Sequence, residues 1–466
     1  MQKPVMTPTL YNYDIFPKAF IEGEKKLITI QPLGRHVDFK KNCKYTIRLF
    51  KSDQGSSVRY PERIGRYEFT SLPDKDGCLR FECTFEGEGE YFVRIFDNPE
   101  EKNHVVQFSV YSLKEDMRGR IPLRGDLHLH SGGSQDGCQA PEVFAADYRG
   151  NGYDFMVISD HYKLYPALEA IKIHNGLTDL NIVPGEEVHM PLGSAHYVNF
   201  GNSFSINALV TPNQNQEKKG DDPKYRSIDG NAPDTITLEE FTEIIDEKAK
   251  RVQRDSEFER RQFAIFEWIY ENIQKGGGLG IFPHPYWVYP QMHVPEDFTE
   301  FIYREKPFDA FEVLGGGGND YSINGFQTGF YYDMKAKGVV RPIVGSTDSH
   351  SSTEYYRERL TCRNLTASTI VFAKNNTRED LISAIKESYS VAVDTQDPQY
   401  RLVGDFRLVK FASFLMKHYF PLHDLACKAE GYYAKRYITQ GDKRSLKVLK
   451  ALKGQIPEMQ KKYFDL

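Results

Sequence analysis

Cysteine and tryptophan are scarce in this sequence: its 466 residues include six cysteines and two tryptophans. The cysteines form no Cys-x-x-Cys pair, so they predict neither a thiol redox motif nor a cysteine-bound zinc site. Cys78 and Cys83 are close enough in the sequence to form a disulfide, but we favour buried free thiols. This cysteine usage is typical of a reducing compartment and predicts a cytoplasmic protein.

Long apolar runs are also absent from the sequence. No segment approaches the roughly 20 apolar residues that a membrane-spanning helix needs, so we predict no membrane contact. Residues 1–20 have no basic start followed by an apolar core and therefore predict no secretory signal. The formal net charge of −5 gives no general attraction for nucleic acid, which is therefore not a required partner, although a local basic patch stays compatible with it.

The length of the chain predicts more than one domain. Its 466 residues exceed the roughly 250–300 residues at which a single hydrophobic core stops growing. Changes in composition along the sequence predict three segments. They are a β-sandwich-like module over 1–117, a strand–helix domain over 118–400 with an insert at about 203–237, and a helical extension over 401–466.

The first segment has the pattern of short β-strands. Apolar and polar residues alternate from Leu79 to Phe85, which is typical of a strand with one buried face. Tyr45–Phe50, Glu90–Phe96 and Val105–Tyr111 are also strand-like, and Gly, Asp, Asn and Pro separate these runs. Several short strands predict a small β-sandwich. We interpret it as a packing or recognition module because it contains no cluster of reactive residues.

The middle segment alternates short apolar strands with helical stretches, which predicts an α/β domain with parallel strands. The number of strands favours a barrel-like closure over an open sheet. The predicted strands are Asp126–His130, Asp154–Ser159, Asn181–Pro184, His196–Phe200, Gly280–Phe282, Ala310–Leu314 and Pro342–Gly345.

Three further stretches accompany these strands. The polar insert at about 203–237 fits either a loop that covers substrate or a disordered surface excursion. The glycine run Gly315–Gly318 predicts a tight loop near a cleft, but it is no P-loop because no Gly-Lys-Ser/Thr follows. The basic helical stretch after about Asp405 is interpreted as a surface appendage rather than a nucleic-acid-binding arm.

Histidines and carboxylates recur at or near the ends of the predicted strands. His128 and His130 stand at i and i+2 of a strand and therefore point to the same side, where both can reach one ion. Such a pair alone is weak evidence, because it also occurs by chance. Seven further residues follow the same pattern on later strand–helix units: Asp136, His161, Glu187, His196, His284, Asp348 and His350.

The recurrence of these residues predicts a metal site. The carboxyl ends of parallel barrel strands converge on one face, so residues far apart in sequence would meet in one cleft. Any one histidine could be a core or turn residue, but that explanation is weak for the whole set. Imidazole and carboxylate ligands without thiolates suit zinc, manganese or iron. Nine ligands are too many for one ion and enough for two or three, and close metal pairs can clamp a phosphoryl group and activate water.

From about Leu123 to Asp394 these motifs resemble, in order, those of the polymerase and histidinol phosphatase (PHP) superfamily of metal-dependent hydrolases. The resemblance implies a distorted (β/α)7 barrel and phosphoester hydrolysis. It implies Glu187 as the bridging carboxylate, with the adjacent Glu186 as the second choice. The metal ligands that it implies are His128, His130, Asp136, His161, Glu187, His196, His284, Asp348 and His350.

The β-rich module in front of the ligand motifs is similar to a branch of the superfamily that includes carbaryl hydrolase, which cleaves a carbamate ester. We therefore keep three hypotheses. The first is a phosphoesterase that uses a metal-activated hydroxide on a small or oligomeric phosphate ester. The second is a carboxylic or carbamic ester hydrolase with the same metal cage, and the third is a non-catalytic, metal-containing binding protein. The substrate and the oligomeric state are not specified by the sequence.

We hypothesise the following roles for the catalytic residues Glu187, Asp348 and His161. Glu187 would bridge two ions, and Asp348 would ligate one ion and orient the nucleophile. His161 would hold a third ion together with Asp136 and His350.

Candidate substrate contacts are residues that neighbour the ligands in the sequence. Arg124 precedes the first ligand strand and could meet an anionic group, or it could be a surface arginine. His189 follows Glu187 closely and could face the cleft or belong to a loop. Tyr286, with Trp287 and His293 after it, could form a pocket wall near the metal site or simply pack the loop.

Overall fold

The computed structural model describes residues 6–55, 59–60, 67–98, 100, 104–174, 176–211, 235–288, 290–315, 321–350, 366–395 and 401–466. Most of the predicted insert at about 203–237, and all of the predicted glycine loop except Gly315, lie outside these described residues. The chain divides into two compact units. One comprises Gln2–Ile121, Phe406–Ala426 and Gly454–Leu466, and the other comprises Pro122–Asp405 and Cys427–Lys453.

The described strands are numbered in chain order. They are β1 (Tyr13–Phe16), β2 (Ala19–Ile21), β3 (Lys25–Pro32), β4 (Tyr45–Lys51), β5 (Tyr67–Ser71), β6 (Leu79–Thr84), β7 (Gly89–Phe96), β8 (Val106–Leu113), β9 (Ile121–Asp126), β10 (Phe155–Ile158), β11 (Asn181–Val188), β12 (Tyr197–Phe200), β13 (Val210–Thr211), β14 (Ile236–Thr237), β15 (Leu279–Phe282), β16 (Ala310–Leu314), β17 (Ile343–Gly345), β18 (Ala367–Ala373), β19 (Ser390–Asp394), β20 (Arg401–Gly404) and β21 (Phe464–Asp465).

The described α-helices are numbered in the same way. They are α1 (Pro8–Asn12), α2 (Pro141–Gly150), α3 (Tyr165–His174), α4 (Leu238–Ala249), α5 (Glu257–Lys275), α6 (Glu296–Glu305), α7 (Tyr321–Ala336), α8 (Arg378–Lys386), α9 (Phe406–His418), α10 (Phe420–Gln440), α11 (Lys443–Leu452) and α12 (Gln455–Tyr463).

The β-rich unit contains a three-stranded sheet, β1-β3-β6, and a six-stranded sheet, β21-β2-β8-β7-β4-β5. Strand β6 buries Leu79, Phe81 and Cys83 and exposes the residues between them, as the alternation in the sequence predicts. Apolar side chains from both sheets, such as Ile28 on β3 and Val93 on β7, belong to one core. This shared core gives the unit its own hydrophobic interior.

The larger unit has a mixed α/β fold built on a ten-stranded sheet with the order β17-β16-β15-β12-β11-β10-β9-β18-β19-β20. Parallel pairs join β9, β10 and β11, and further parallel pairs join β15, β16 and β17. Strand β12 departs from the predicted all-parallel arrangement, because it runs antiparallel to both β11 and β15. Only residues 189–196 separate β11 from β12, and a parallel crossover needs a dozen residues or more.

The sheet curves so that its end strand β17 approaches the interior strand β9 beside the first and last ligand motifs. Leu129, which follows β9, forms a parallel bridge with Ser349, which follows β17. Two backbone hydrogen bonds extend this contact: the His130 amide donates to the Ser349 carbonyl and the Asp348 amide donates to the His128 carbonyl, both over 2.8 Å. The sheet is therefore barrel-like, with its closure at the candidate metal ligands.

The C-terminal part of the chain is helical, as predicted. In the larger unit, Arg149 of α2 forms a fully buried ion pair with Glu430 of α10, with a nitrogen–oxygen distance of 2.8 Å. Among the described cysteines, five are free thiols, including Cys78 and Cys83, as the sequence predicts. Within the described ranges, the helices all fall short of the length and apolar character that crossing a bilayer would require.

Candidate metal centre

The candidate ligands are all carried to one edge of the ten-stranded sheet. His128 follows β9, His161 follows β10 and His284 follows β15, each just past the end of a parallel strand. His196 instead immediately precedes β12. Because β12 runs antiparallel to its neighbours, its beginning lies at the edge where the neighbouring strands end. The reversed strand therefore brings His196 to the same site as the other ligands.

Glu187, near the end of β11, lies at the centre of the site. Its side chain is 1% exposed, and six histidine nitrogens lie within 3.5 Å of its carboxylate oxygens. The closest are His161 Nδ1 at 2.6 Å and His196 Nδ1 at 2.7 Å. The full set comprises His128, His130, His161, His189, His196 and His284.

The remaining predicted ligands are joined to this set through Asp348 and Asp136. Asp348 Oδ1 lies 3.0 Å from His130 Nε2 and 3.4 Å from His128 Nε2. Asp136 Oδ2 lies 3.3 Å from His161 Nε2 and 3.2 Å from His350 Nε2. The structure thus brings all nine predicted ligands into one cluster of imidazoles and carboxylates.

Backbone strain is concentrated at this cluster. His284, Asp348 and Tyr162, the residue after His161, have φ values of 23°, 51° and 65°. Non-glycine residues seldom adopt such values, which cost of order 1–3 kcal/mol and persist only where the surrounding structure imposes them. The Tyr162 amide donates to the Glu187 carbonyl over 3.0 Å, which illustrates how the site fixes its own backbone.

A buried carboxylate that the sequence did not predict contacts the first candidate ligand, His128. Glu312 on β16 has its Oε2 3.0 Å from His128 Nδ1, and its Oε1 accepts the His284 amide over 3.3 Å. Gly315 leaves room for it, because a Cβ there would collide with the Glu312 carboxylate. The available signal was a single carboxylate inside the apolar strand Ala310–Leu314, all of which is buried.

Two further buried aspartates hold the ligand-bearing loops. Asp126 accepts hydrogen bonds from the Thr347 amide over 3.1 Å and the Thr347 hydroxyl over 2.7 Å. Asp160 accepts from the Ser131 amide and hydroxyl, both over 2.6 Å, and from the Ser134 hydroxyl over 2.8 Å. These hydrogen bonds hold the segments that carry His128, His130 and Asp348. Asp126 and Asp160 are not themselves candidate ligands.

Glu186, the second choice for the bridging carboxylate, faces other partners. Its carboxylate accepts from the Ser205 hydroxyl over 2.7 Å and from Asn207 Nδ2 over 2.9 Å, and it also binds the Ile206 amide. Asn207 Oδ1 in turn accepts the His189 amide over 2.9 Å. Glu187 therefore lies among the histidines, whereas Glu186 binds the segment Ser205–Asn207.

The three predicted substrate contacts have different surroundings. The Arg124 guanidinium donates to the Asn151 and Gly152 carbonyls, in the loop before β10, and so lies towards the strand end opposite the ligands. Tyr286 is 4% exposed, and its ring packs 5.7 Å from that of Phe330. His189, by contrast, lies inside the ligand cluster.

His189 and His293 add two imidazoles to the nine predicted ligands. His189 Nε2 lies 2.9 Å from His161 Nδ1 and 3.4 Å from Glu187 Oε2. The ring of His293 lies 4.5 Å from that of His196, and His293 Nε2 accepts the His196 amide over 3.2 Å. His293 followed the His284 motif closely in the sequence, but its spacing matched no ligand position.

Burial keeps several of these imidazoles neutral. Burial, aided by the neighbouring His161 and His350, lowers the pKa of His130 to about 3. Burial likewise lowers the pKa of His189 to about 4 and the pKa of His293 to about 2. Neutral imidazole is the form that binds a metal ion, because it offers a free lone pair.

The neighbouring carboxylates have the opposite effect on the pKa of His128, which they raise. Burial would lower the pKa of His128, but Asp348, Glu187 and Glu312 outweigh it and raise that pKa well above its usual value. Burial would also raise the pKa of Glu187, yet the surrounding histidines, His196 foremost, hold it well below its usual range. Protons and metal ions would therefore compete for this cluster.

The donor set fits divalent cations. Glu187 Oε2 and His196 Nδ1 are buried and have close neighbours at 2.6 and 2.7 Å, yet neither makes a hydrogen bond of acceptable geometry among the described residues, as expected for atoms that face a cation. Five groups of three side chains bring potential ligand atoms within 4.8 Å of one another. These groups are His130–His161–His350, His196–His284–His293, His128–His284–Asp348, His128–His130–Glu187 and His161–Glu187–His189.

No protein-family model matches the chain, and no curated protein matches it. Among solved structures, the chain is similar to a two-domain protein from Bacteroides vulgatus that contains a predicted PHP-like metal-dependent phosphoesterase. The two are 17% identical over 64% of this chain and 71% of that chain, with a TM-score of 0.40.

Two other solved structures are similar over a smaller part of the chain. One is a candidate metal-dependent phosphoesterase from Bifidobacterium adolescentis, with 15% identity over 52% of this chain and 93% of that chain and a TM-score of 0.31. The other is an amidohydrolase from Chromobacterium violaceum with bound sulfate and no metal, with 17% identity over 48% of this chain and 87% of that chain and a TM-score of 0.29. The function proposed below rests on the geometry of this chain's own side chains.

Proposed function

We propose that this protein is a metal-dependent hydrolase that cleaves phosphate esters. The observation that carries the proposal is the convergence of six histidines on the buried Glu187 carboxylate, with Asp348 and Asp136 joined to the same cluster. A single structural ion needs about four ligands and a closed shell. A cluster this large, next to backbone strain, is typical of a multinuclear catalytic site.

The ligands divide into neighbouring groups that would hold two or three divalent ions. His128, His284 and Asp348 form one group beside Glu187, and His196, His284 and His293 form a second. The group His130–His161–His350, with Asp136 beside it, would hold a third ion. Nitrogen and oxygen donors without sulfur favour zinc, manganese or iron.

Bound divalent ions would lower the pKa of coordinated water towards about 7 and neutralise charge on the phosphoryl oxygens. Glu187 would hold the ligand groups together from the centre of the site. The Asp348 side chain is 17% exposed while its Oδ1 contacts His130, which supports a role in orienting the attacking water. His161 is 20% exposed and contacts both Glu187 and Asp136, which supports its proposed role near the substrate.

The substrate, in this proposal, is a small or oligomeric phosphate ester. The net charge of −5 supports a substrate other than nucleic acid, since it provides no general attraction for a polyanion. The free thiols support a reducing, cytoplasmic location. The fold that we propose for the larger unit is the distorted (β/α)7 barrel, which the parallel β9–β11 and β15–β17 strands support.

The test compares two chromogenic esters on protein that has been stripped of metal and reloaded with zinc, manganese or iron. We expect hydrolysis of nitrophenyl phosphate that requires metal and is lost in His128→Ala, but is kept in the control His104→Ala, which changes an exposed histidine outside the cluster. Elemental analysis should find two or three ions per chain. Faster turnover of nitrophenyl acetate would replace the phosphate proposal with the carboxylic ester hypothesis, and no turnover of either ester would contradict the enzymatic assignment.

A further inference from the structure

Two aromatic side chains border the ligand cluster. The Trp287 ring centroid lies 6.1 Å from that of His196 and 6.0 Å from that of His284. The Tyr162 ring lies 4.6 Å from that of His189, which is itself 4.2 Å from that of His196. Trp287 and Tyr162 are both half-buried. The cluster therefore has a rim of flat, partly exposed rings.

The backbone holds Trp287 at this rim. The Trp287 amide donates to the His284 carbonyl over 3.0 Å, and the Trp287 carbonyl accepts the His293 amide over 2.6 Å. The Val294 amide donates to the Pro285 carbonyl over 3.1 Å, which closes the base of the same loop. His293 Nε2 then binds the His196 amide. The loop that carries Trp287 is thus tied at both ends to residues of the ligand cluster.

The two adjacent aromatic residues of this loop, Tyr286 and Trp287, differ in their neighbours and in their exposure. Tyr286 is 4% exposed and packs against Phe330, so the hydrophobic core of the domain accounts for it. The Trp287 ring instead lies beside those of His196, His284 and His293, and the residue is only half-buried. A large apolar ring beside a polar metal site gains by covering an apolar part of a ligand.

We propose that this site prefers phosphate esters whose leaving group carries a flat ring, either an aryl group or a nucleobase, which stacks on Trp287. This inference rests on the proposed phosphoesterase function. The phosphoryl group would bind at the ligand cluster, which leaves its ester substituent at the rim, where Trp287 and Tyr162 lie. Stacking on an aromatic side chain contributes about 1–3 kcal/mol for a base, which corresponds to a preference of roughly 5-fold to 140-fold.

Tryptophan fluorescence can test this directly, because the chain has two tryptophans. The other, Trp268 of α5, is 7% exposed in the core. Trp268→Phe in the full, metal-loaded chain leaves Trp287 as the only indole. Inorganic phosphate, methylphosphonate and phenylphosphonate are then titrated. Phosphonates have no ester bond to cleave, so their binding reports recognition without the different reactivity of leaving groups.

We expect phenylphosphonate to quench the Trp287 emission and to bind about tenfold more tightly than methylphosphonate. Trp287→Leu should remove that preference, as measured by calorimetry, while phosphate still binds, and Trp287→Phe should keep most of it. Comparing the affinity of a nucleoside monophosphate with that of phenylphosphonate distinguishes a preference for a nucleobase from a preference for a simple aryl group.

The possible failures are distinguishable. Equal affinities of phenylphosphonate and methylphosphonate, with phosphate bound, would overturn the ring preference and leave the phosphoesterase proposal intact. No phosphate binding to the metal-loaded protein would contradict the phosphoesterase proposal itself. If Trp287→Leu does not fold, as judged by its circular dichroism and melting temperature, the comparison of the two phosphonates in Trp268→Phe and Trp287→Phe still decides the question.

Discussion

Glu312 lies directly behind His128: its Oε2 is 3.0 Å from His128 Nδ1, and neither side chain is exposed to solvent. The contact leaves His128 Nε2 facing Glu187 and Asp348. A carboxylate in this position fixes the ring orientation and tautomer of a metal-binding histidine and makes its other nitrogen more basic. We therefore expect Glu312 to position His128 as a candidate metal ligand.

We predict that Glu312→Gln lowers metal affinity by about 10–100-fold, the usual effect of losing such an outer partner. The amide oxygen can still accept a hydrogen bond from His128 Nδ1, but the negative charge that raises the basicity of the ring is gone. Metal content after dialysis against graded chelator measures the effect. The exposed Glu305→Gln is the matched control. Equal metal retention in Glu312→Gln and wild type would contradict the role given to Glu312.

The adjacent residues Glu186 and Glu187 offer a paired test, because their carboxylates have different partners. Glu187→Gln should abolish stoichiometric metal binding, since six histidines converge on that carboxylate. Glu186→Gln should keep the metal but lower the free energy of unfolding by roughly 1–3 kcal/mol, because buried donors of Ser205 and Asn207 lose a charged acceptor. Elemental analysis and urea unfolding separate the two effects. A reversal of the two phenotypes would move the bridging role to Glu186.

The ligand set could be proposed from the sequence because its members stand in local patterns. His128 with His130, and Asp348 with His350, are spaced i and i+2, and the others follow apolar runs, so each position carries a local signal. The predicted strand Asp126–His130 was wrong, however, because β9 spans Ile121–Asp126 and ends where the predicted strand begins. The segment beyond β9 pairs with the segment after β17. That pairing is long-range, and the sequence near His128 does not encode it locally.

Residues that support a candidate ligand from behind were harder to predict from the sequence. Glu312 stands alone in an apolar strand, and its relation to His128 depends on how distant strands meet. Arg124 shows the converse, since a residue close to the ligands in sequence contacts backbone carbonyls near the other end of the strands. The direction of β12 was also missed, because alternating strands and helices predict parallel pairing unless the length of each connection is weighed.

Removal of the metal should destabilise the larger unit. A ligand that binds only the folded state adds about 2.7 kcal/mol at a concentration 100 times its dissociation constant and about 4.1 kcal/mol at 1,000 times. We therefore expect the melting temperature to fall on chelation and to recover when zinc or manganese is restored, as followed by differential scanning fluorimetry. His128→Ala should reduce that shift strongly. A melting temperature that changes neither with chelator nor with added metal would show that this cluster does not bind ions in the folded protein.

Asp14 should make the β-rich unit sensitive to acid. Its buried carboxylate accepts from Lys18 Nζ over 3.1 Å, Lys462 Nζ over 2.6 Å and the Tyr463 hydroxyl over 3.1 Å. Burial would raise the pKa of Asp14, but the two lysines outweigh it and lower that pKa below its ordinary value.

Because the folded pKa of Asp14 lies below the unfolded value of about 3.9, the charged carboxylate contributes stability that is fully present above that value. This contribution is lost as the pH falls through the folded pKa. Asp14→Asn should therefore lower the free energy of unfolding by about 3–5 kcal/mol near neutral pH, since it leaves Lys18 buried without its counter-charge. The difference between wild type and Asp14→Asn should shrink below about pH 4. Urea unfolding between pH 3 and 7 measures it, with the exposed Asp53→Asn as control, and a difference that stays constant with pH would show that the Asp14 charge does not contribute to folding.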